Sequence, residues 1–251
     1  MSNFYTKKQN ILIASAVVLL ILGKKEVCIW WLIIVGIIGN IRRLPYTNNV
    51  AYFIRMTCYF IVYYIPFLFI RDKVLIGVKF TNRVLVAFLF VLMAAFLMFL
   101  IERKEYRIWF SEYAVASLSY KTKYQIILTI YNLIGAVICE EIFFRGYIIT
   151  MFSRVELKII ISALYFSLSH YLVPWSEGFR KSDYIKQIIM GVVNALLYIY
   201  TQSIIPCILM HLVCNFASIL LEFKRYERHF LKKSMYDKVL QENIEELLPE
   251  L

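Results

Sequence analysis

Residues 84–101 read VLVAFLFVLMAAFLMFLI, an unbroken apolar run of 18 residues. Crossing the hydrocarbon of a bilayer takes about 20 mostly apolar residues at the helical rise. Seven further runs follow the same rule. Ala51–Ile70 is interrupted only by Arg55, and Tyr124–Phe144, Lys158–Val173, Ile185–Tyr200 and Ser203–Leu221 lie downstream. Near the start, Ile11–Leu22 and Val27–Ile41 are short and are split by Gly23-Lys24-Lys25-Glu26. They read as two tilted spans or as one hairpin dipping into the membrane.

Backbone N–H and C=O groups in lipid must pair within their own segment, so each span is a helix. Barrel strands would alternate apolar and polar residues, and these runs do not. The expected fold is therefore all-α, a polytopic transmembrane bundle of about eight spans.

Composition agrees. The chain is 61% hydrophobic and 18% charged, against about 45–50% and about 25% for soluble domains. The net charge of +11 would suit a nucleic-acid partner. Its Lys and Arg residues, however, fall in short clusters between apolar runs, as membrane proteins place them. Membrane lipid is the expected partner, and nucleic acid is not. The five cysteines, Cys28, Cys58, Cys139, Cys207 and Cys214, sit in apolar segments without a CxxC pair. They read as packing residues, with neither a disulfide framework nor a zinc knuckle. No A-x-A-like cleavage site follows the polar start, so the first apolar run is expected to remain as an anchor.

With eight spans, the side holding the N-terminus, 42–50, 102–123, 174–186 and the C-terminal tail carries more than twice the Lys and Arg of the other side. The positive-inside rule then puts both termini in the cytoplasm of a multi-pass cell-membrane protein. The tail from Glu222 to Leu251 is basic first and acidic at its end, which suits a helix on the cytoplasmic lipid surface.

Ionisable groups inside a bilayer are costly and mark functional sites by default. Those within the spans are Arg55, Glu140, Glu141, Arg145, His170 and His211, and five of the six lie in the C-terminal half. Glu141 and Arg145 are four apart and can pair on one helix face. Glu140 is rotated about 100° away, without that partner, and a carboxylate in such a site suits a general base or acid. Structural bonding to neighbouring helices is the plainer reading of both acids. Phe166 and His170 share a face, and His170 can orient a water beside Glu140, bind a metal, or simply pack. His211 and Asn215 are again four apart. Both can donate to a developing oxyanion or bond between helices. Counted along its span, Glu140 lies about 24 Å from the cytoplasmic start at 1.5 Å per residue, whereas His170 falls near the cytoplasmic end of the next. The two meet only if a span limit or a tilt differs from this count.

Together, EExxxR at 140–145, FxxxH at 166–170 and HxxxN at 211–215, each on its own apolar segment, resemble the CPBP family of intramembrane proteases. That family includes type II CAAX prenyl endopeptidases and bacterial proteins linked to bacteriocin immunity. Gly191 through Tyr198, with Thr201, Ser203, Ile204 and Pro206 to His211, shares the likeness. It covers roughly residues 125–221. The division it implies is N-terminal transmembrane helices over 1–123, a catalytic transmembrane core over 124–221 and a charged cytoplasmic tail over 222–251.

The resemblance implies that Glu140 activates water with help from His170, that His211 and Asn215 stabilise the oxyanion, and that Glu141 and Arg145, with Phe166, support the site. It implies an endopeptidase acting on a membrane-associated protein or peptide precursor, prenylated or not. A site without metal is favoured. Zinc held by Glu140, His170 and His211 is the alternative, since the ligand types suit it although HExxH is absent. Two other functions compete. One is a non-catalytic immunity factor or scaffold of the same fold. The other is a transporter, which would show paired Gly or Pro interruptions; only Pro66 and Pro206 qualify.

Overall fold

The computed structural model describes residues 2–41, 48–69, 80–118, 120–172 and 181–232, and within them the chain is helical with no strand. The helices are α1 (Ser2–Ile21), α2 (Lys25–Ile41), α3 (Asn49–Phe69), α4 (Asn82–Trp109), α5 (Glu112–Ser117), α6 (Lys123–Glu141), α7 (Val155–Leu172), α8 (Lys181–Thr201) and α9 (Ile205–Tyr226). Every expected span is a helix. Among the described residues, six helical stretches are long and apolar enough to cross a membrane: Asn49–Phe69, Asn82–Trp109, Lys123–Met151, Val155–Leu172, Ser182–Thr201 and Ile205–Leu231. The two N-terminal runs form separate helices that pack on each other. Among the described residues, eight helices are long, and six stretches meet the spanning criterion.

Several ends differ from the apolar runs. Helix α4 continues beyond Ile101 through Glu102, Arg103, Lys104 and Glu105, since these residues are good helix formers whose side chains do not need lipid. The short helix α5 stands inside the expected connection at 102–123, capped by Ser111, which accepts a hydrogen bond from the Ala114 N–H at 3.2 Å. Helix α6 starts at a capping box: the Gln125 N–H donates to Thr122 Oγ1, and the Thr122 N–H donates to Gln125 Oε1 at 2.9 Å.

Helix α6 does not stop at Phe144. It continues through a π-helical stretch, Ile142–Ile148, and a 3-10 turn, Ile149–Met151. This corrects the expected span limit by about two turns and brings Glu140 and His170 to within about one helical turn of the same depth. Measured back from the turn after Met151, Glu140 is about 16 Å away, and measured forward from Val155, His170 is about 22 Å away, at 1.5 Å per residue.

The boundary at 221/222 falls inside α9. Glu222 and Arg225, expected at the lipid surface, are buried. Lys121 Nζ lies 2.8 Å from Glu222 Oε1, and a buried carboxylate with such a partner loses much of its desolvation cost. The helical path continues to Lys232. The acidic end of the tail and the basic residues of 42–47, 70–79 and 173–180 lie outside the described residues.

One buried core joins the two halves of the chain. Trp31, Ile34 and Val35 of α2 and Tyr59, Phe60 and Tyr63 of α3 pack with Cys139, Phe143, Phe144 and Tyr147 from α6 and its extension, and with Tyr165 and Phe166 of α7. A second core lies among α4, α8 and α9, including Ala87, Val91, Ala195, Tyr198, Cys207 and Met210. Lipid tails are as apolar as the helices, so close backbone approach rather than hydrophobicity drives such packing. Two glycines permit it. A Cβ on Gly191 of α8 would lie 2.9 Å from Ala163 Cα of α7, and one on Gly135 of α6 would lie 2.3 Å from Phe60 Cζ of α3.

Candidate active site

The two adjacent acids face different helices, as their 100° rotation requires. Glu141 is fully buried. Its Oε2 accepts from Arg145 Nε at 2.9 Å, and its Oε1 lies 2.8 Å from His211 Nδ1 on α9. A carboxylate oxygen only accepts, so the His211 Nδ1–H donates. Arg145 also donates through Nη1 to Ser162 Oγ, and Ser162 in turn donates to the Phe144 carbonyl at 3.0 Å. The guanidinium lies over the Phe166 ring at 5.3 Å. A charge this deep is tolerable only with such a set of partners. The expected Glu141–Arg145 pair is therefore present, and it ties α6 to both α7 and α9.

Glu140 is 3% exposed. Tyr59 of α3 donates to its Oε1 at 2.7 Å, and its Oε2 lies 3.7 Å from His170 Nε2. His170 Nδ1 is 3.0 Å from the Phe166 carbonyl. A carbonyl accepts, so Nδ1 carries a proton, and in the Nδ1–H tautomer Nε2 turns a lone pair toward Glu140. Two acceptors cannot bond to each other, having no proton between them, and a water that donates once to each satisfies both. Glu140, His170, Tyr59, Tyr63, Ser169, Val35 and Ile38 line a small cavity, about 10 Å³, with room for about one water molecule.

Phe166 joins the two halves of the site. Its ring lies 4.6 Å from that of His170 and 5.5 Å from that of His211. Asn215, one turn beyond His211, is partly buried and makes no side-chain hydrogen bond among the described residues. The three residues weighed as zinc ligands are not gathered as a set. His211 turns to Glu141 rather than to Glu140. Among the described residues no three His, Cys, Asp or Glu are placed to hold a metal ion. Arg55 is partly buried one turn before Tyr59 and does not line the cavity.

The model of the family described as type II CAAX prenyl endopeptidase Rce1-like matches residues 122–217. This segment belongs to the CPBP protease family. The matched segment holds Glu140, Glu141, Arg145, Phe166, His170, His211 and Asn215, while Arg55 lies outside it, and over these residues the chain is similar to membrane endopeptidases of the CAAX type. No curated protein and no solved structure matches the chain.

Sequence reasoning missed Tyr59, Tyr63 and Ser162, and took Asn194 only as part of the family-like stretch from Gly191 to Tyr198. Tyr59 and Tyr63 lie outside the CPBP segment, and their only signal was two phenols four apart in an apolar run. Asn194 is buried on α8 and donates to the Cys207 carbonyl at 3.2 Å, bonding α8 to α9.

Proposed function

We propose that the protein is an intramembrane endopeptidase in which Glu140 and His170 activate a water for attack on a peptide carbonyl. The observation that carries this reading is the pair of acceptors, Glu140 Oε2 and His170 Nε2, facing each other at 3.7 Å across a cavity of one-water size. A water donating to both is held with its lone pairs directed away from them, toward a substrate carbonyl. Glu140 takes the water proton as the new C–O bond forms. It then returns that proton to the amine as the C–N bond breaks, as a general base does when it turns general acid.

His211 and Asn215 stabilise the tetrahedral oxyanion in this scheme. With Nδ1–H committed to Glu141, Nε2 is the ring nitrogen of His211 left to face the oxyanion. Asn215 has an uncommitted side-chain amide one turn further along the same face. No step runs through a metal.

The substrate is a peptide segment of a membrane-associated protein or precursor, prenylated or unprenylated. Both termini are placed in the cytoplasm on the charge distribution of the connections. The test is cleavage of fluorogenic membrane-anchored peptides, one farnesylated at a CAAX end and one unprenylated, by the full-length protein in lipid nanodiscs. Cleavage by the wild type and none by Glu140→Gln supports the assignment. No cleavage by either would favour the non-catalytic binding protein.

A further inference from the structure

The wall of the cavity opposite His170 comes from α3, outside the segment that matches the protease family. Tyr59 is 1% exposed, and its hydroxyl donates to Glu140 Oε1 at 2.7 Å. That contact uses the single phenolic proton of Tyr59, because the carboxylate has none to give. The 3.3 Å contact between the Tyr59 and Tyr63 hydroxyls is then donated by Tyr63. The donor order is Tyr63 to Tyr59 to Glu140. The packing of Phe60 on Gly135 holds α3 against α6 one turn from this contact. From α2, Trp31 Nε1 donates to Ser169 Oγ at 3.0 Å, fixing a second wall of the same cavity.

We propose that Tyr59 is a positioning residue for hydrolysis: by holding Glu140 Oε1 it turns Oε2 toward His170 and the water place between them, with Tyr63 setting the direction of the Tyr59 hydroxyl. This rests on Glu140 being the base, as proposed above. Its consequence is that the site is incomplete without the N-terminal helices. The competing explanation is structural. A buried phenol needs an acceptor, and Glu140 would merely serve as one.

The two differ in what Tyr59→Phe does, since that change keeps the ring and its packing and removes only the hydroxyl. Full-length wild type, Tyr59→Phe, Tyr63→Phe and Glu140→Gln are compared in nanodiscs on the peptides named above, with rates normalised to the monodisperse folded fraction. Tyr59→Phe is expected to lower kcat about 10–10²-fold, as misplaced reacting groups do. KM should stay within about twofold, the pattern of an interaction that acts on turnover rather than on binding. Tyr63→Phe should give a smaller loss. Infrared difference spectra supply a readout that needs no substrate: the carboxyl band assigned by its absence in Glu140→Gln should move in Tyr59→Phe. An unchanged kcat per folded enzyme, or an unmoved band, overturns the proposal. Equal inactivity of wild type and Glu140→Gln would instead bring down the protease reading, and the band alone would then decide whether Tyr59 orients Glu140.

Discussion

Glu141 Oε1 and His211 Nδ1 lie 2.8 Å apart, although 70 residues separate them in the chain. The contact commits one nitrogen of His211 and leaves the other to act. It also makes α9 part of the same polar unit as the Glu141–Arg145 pair. Each element of that unit has a distinct experimental consequence.

Glu140→Gln should remove activity while leaving folding intact. Glutamine keeps the size of the side chain and an oxygen to accept from Tyr59, yet it cannot take a proton from water. The expected loss in kcat is at least about 10²–10⁴-fold, the usual worth of a general base. Turnover at the wild-type rate would refute the role of Glu140.

Arg145→Ala should reduce the amount of folded protein as well as activity. It leaves the fully buried Glu141 with His211 as its remaining partner and deprives Ser162 of its donor. Breaking a buried pair costs about 3–5 kcal/mol, readable as a lower melting temperature in detergent. A variant that melts like the wild type but turns over slowly would place Arg145 against substrate instead.

His211 and Asn215 separate an oxyanion site from a metal site. Asn215→Ala should lower kcat about 10²–10³-fold with little change in KM, as loss of one oxyanion donor does. His211→Ala should also destabilise the fold, because Glu141 loses a partner. Asn215 is therefore the cleaner probe. Activity should survive a strong chelator. Activity lost on chelation and restored by zinc, with Asn215→Ala near wild type, would overturn the water-activation scheme and keep the protease.

Gly191→Val should weaken the α7–α8 contact. The first added carbon would meet Ala163 Cα at 2.9 Å, and backbone cannot yield as a flexible side-chain end does. Overpacking of this kind costs about 1–3 kcal/mol. An unchanged melting temperature would show that the two helices do not meet there.

Topology is checked by reporter fusions before Met1 and after Leu251. Both should read cytoplasmic. A cytoplasmic signal from the C-terminal fusion alone would mean that α1 and α2 enter the membrane as a single insertion.

The helices were legible because a lipid-exposed backbone has few options. Apolar runs near 20 residues must be helical to satisfy their own N–H and C=O groups, and each long run is a helix. The ends were less legible. Helix α4 outlasts its apolar run through charged residues, and α6 outlasts its own through a π-helical stretch. Hydropathy registers where lipid ends, not where hydrogen bonding ends.

Among the site residues, local spacing by itself determined the Glu141–Arg145 pair and the divergence of Glu140 from it, since 3.6 residues per turn sets both. Only the tertiary structure decided that Glu141 receives His211, that Glu140 faces His170, and that Tyr59 reaches in from a helix with no family motif. The reason is physical. In lipid, hydrophobicity does not tell one helix face from another, so neighbours are chosen by shape, at contacts such as Gly191 on Ala163 and Phe60 on Gly135, and by polar partners that no single helix can supply to itself.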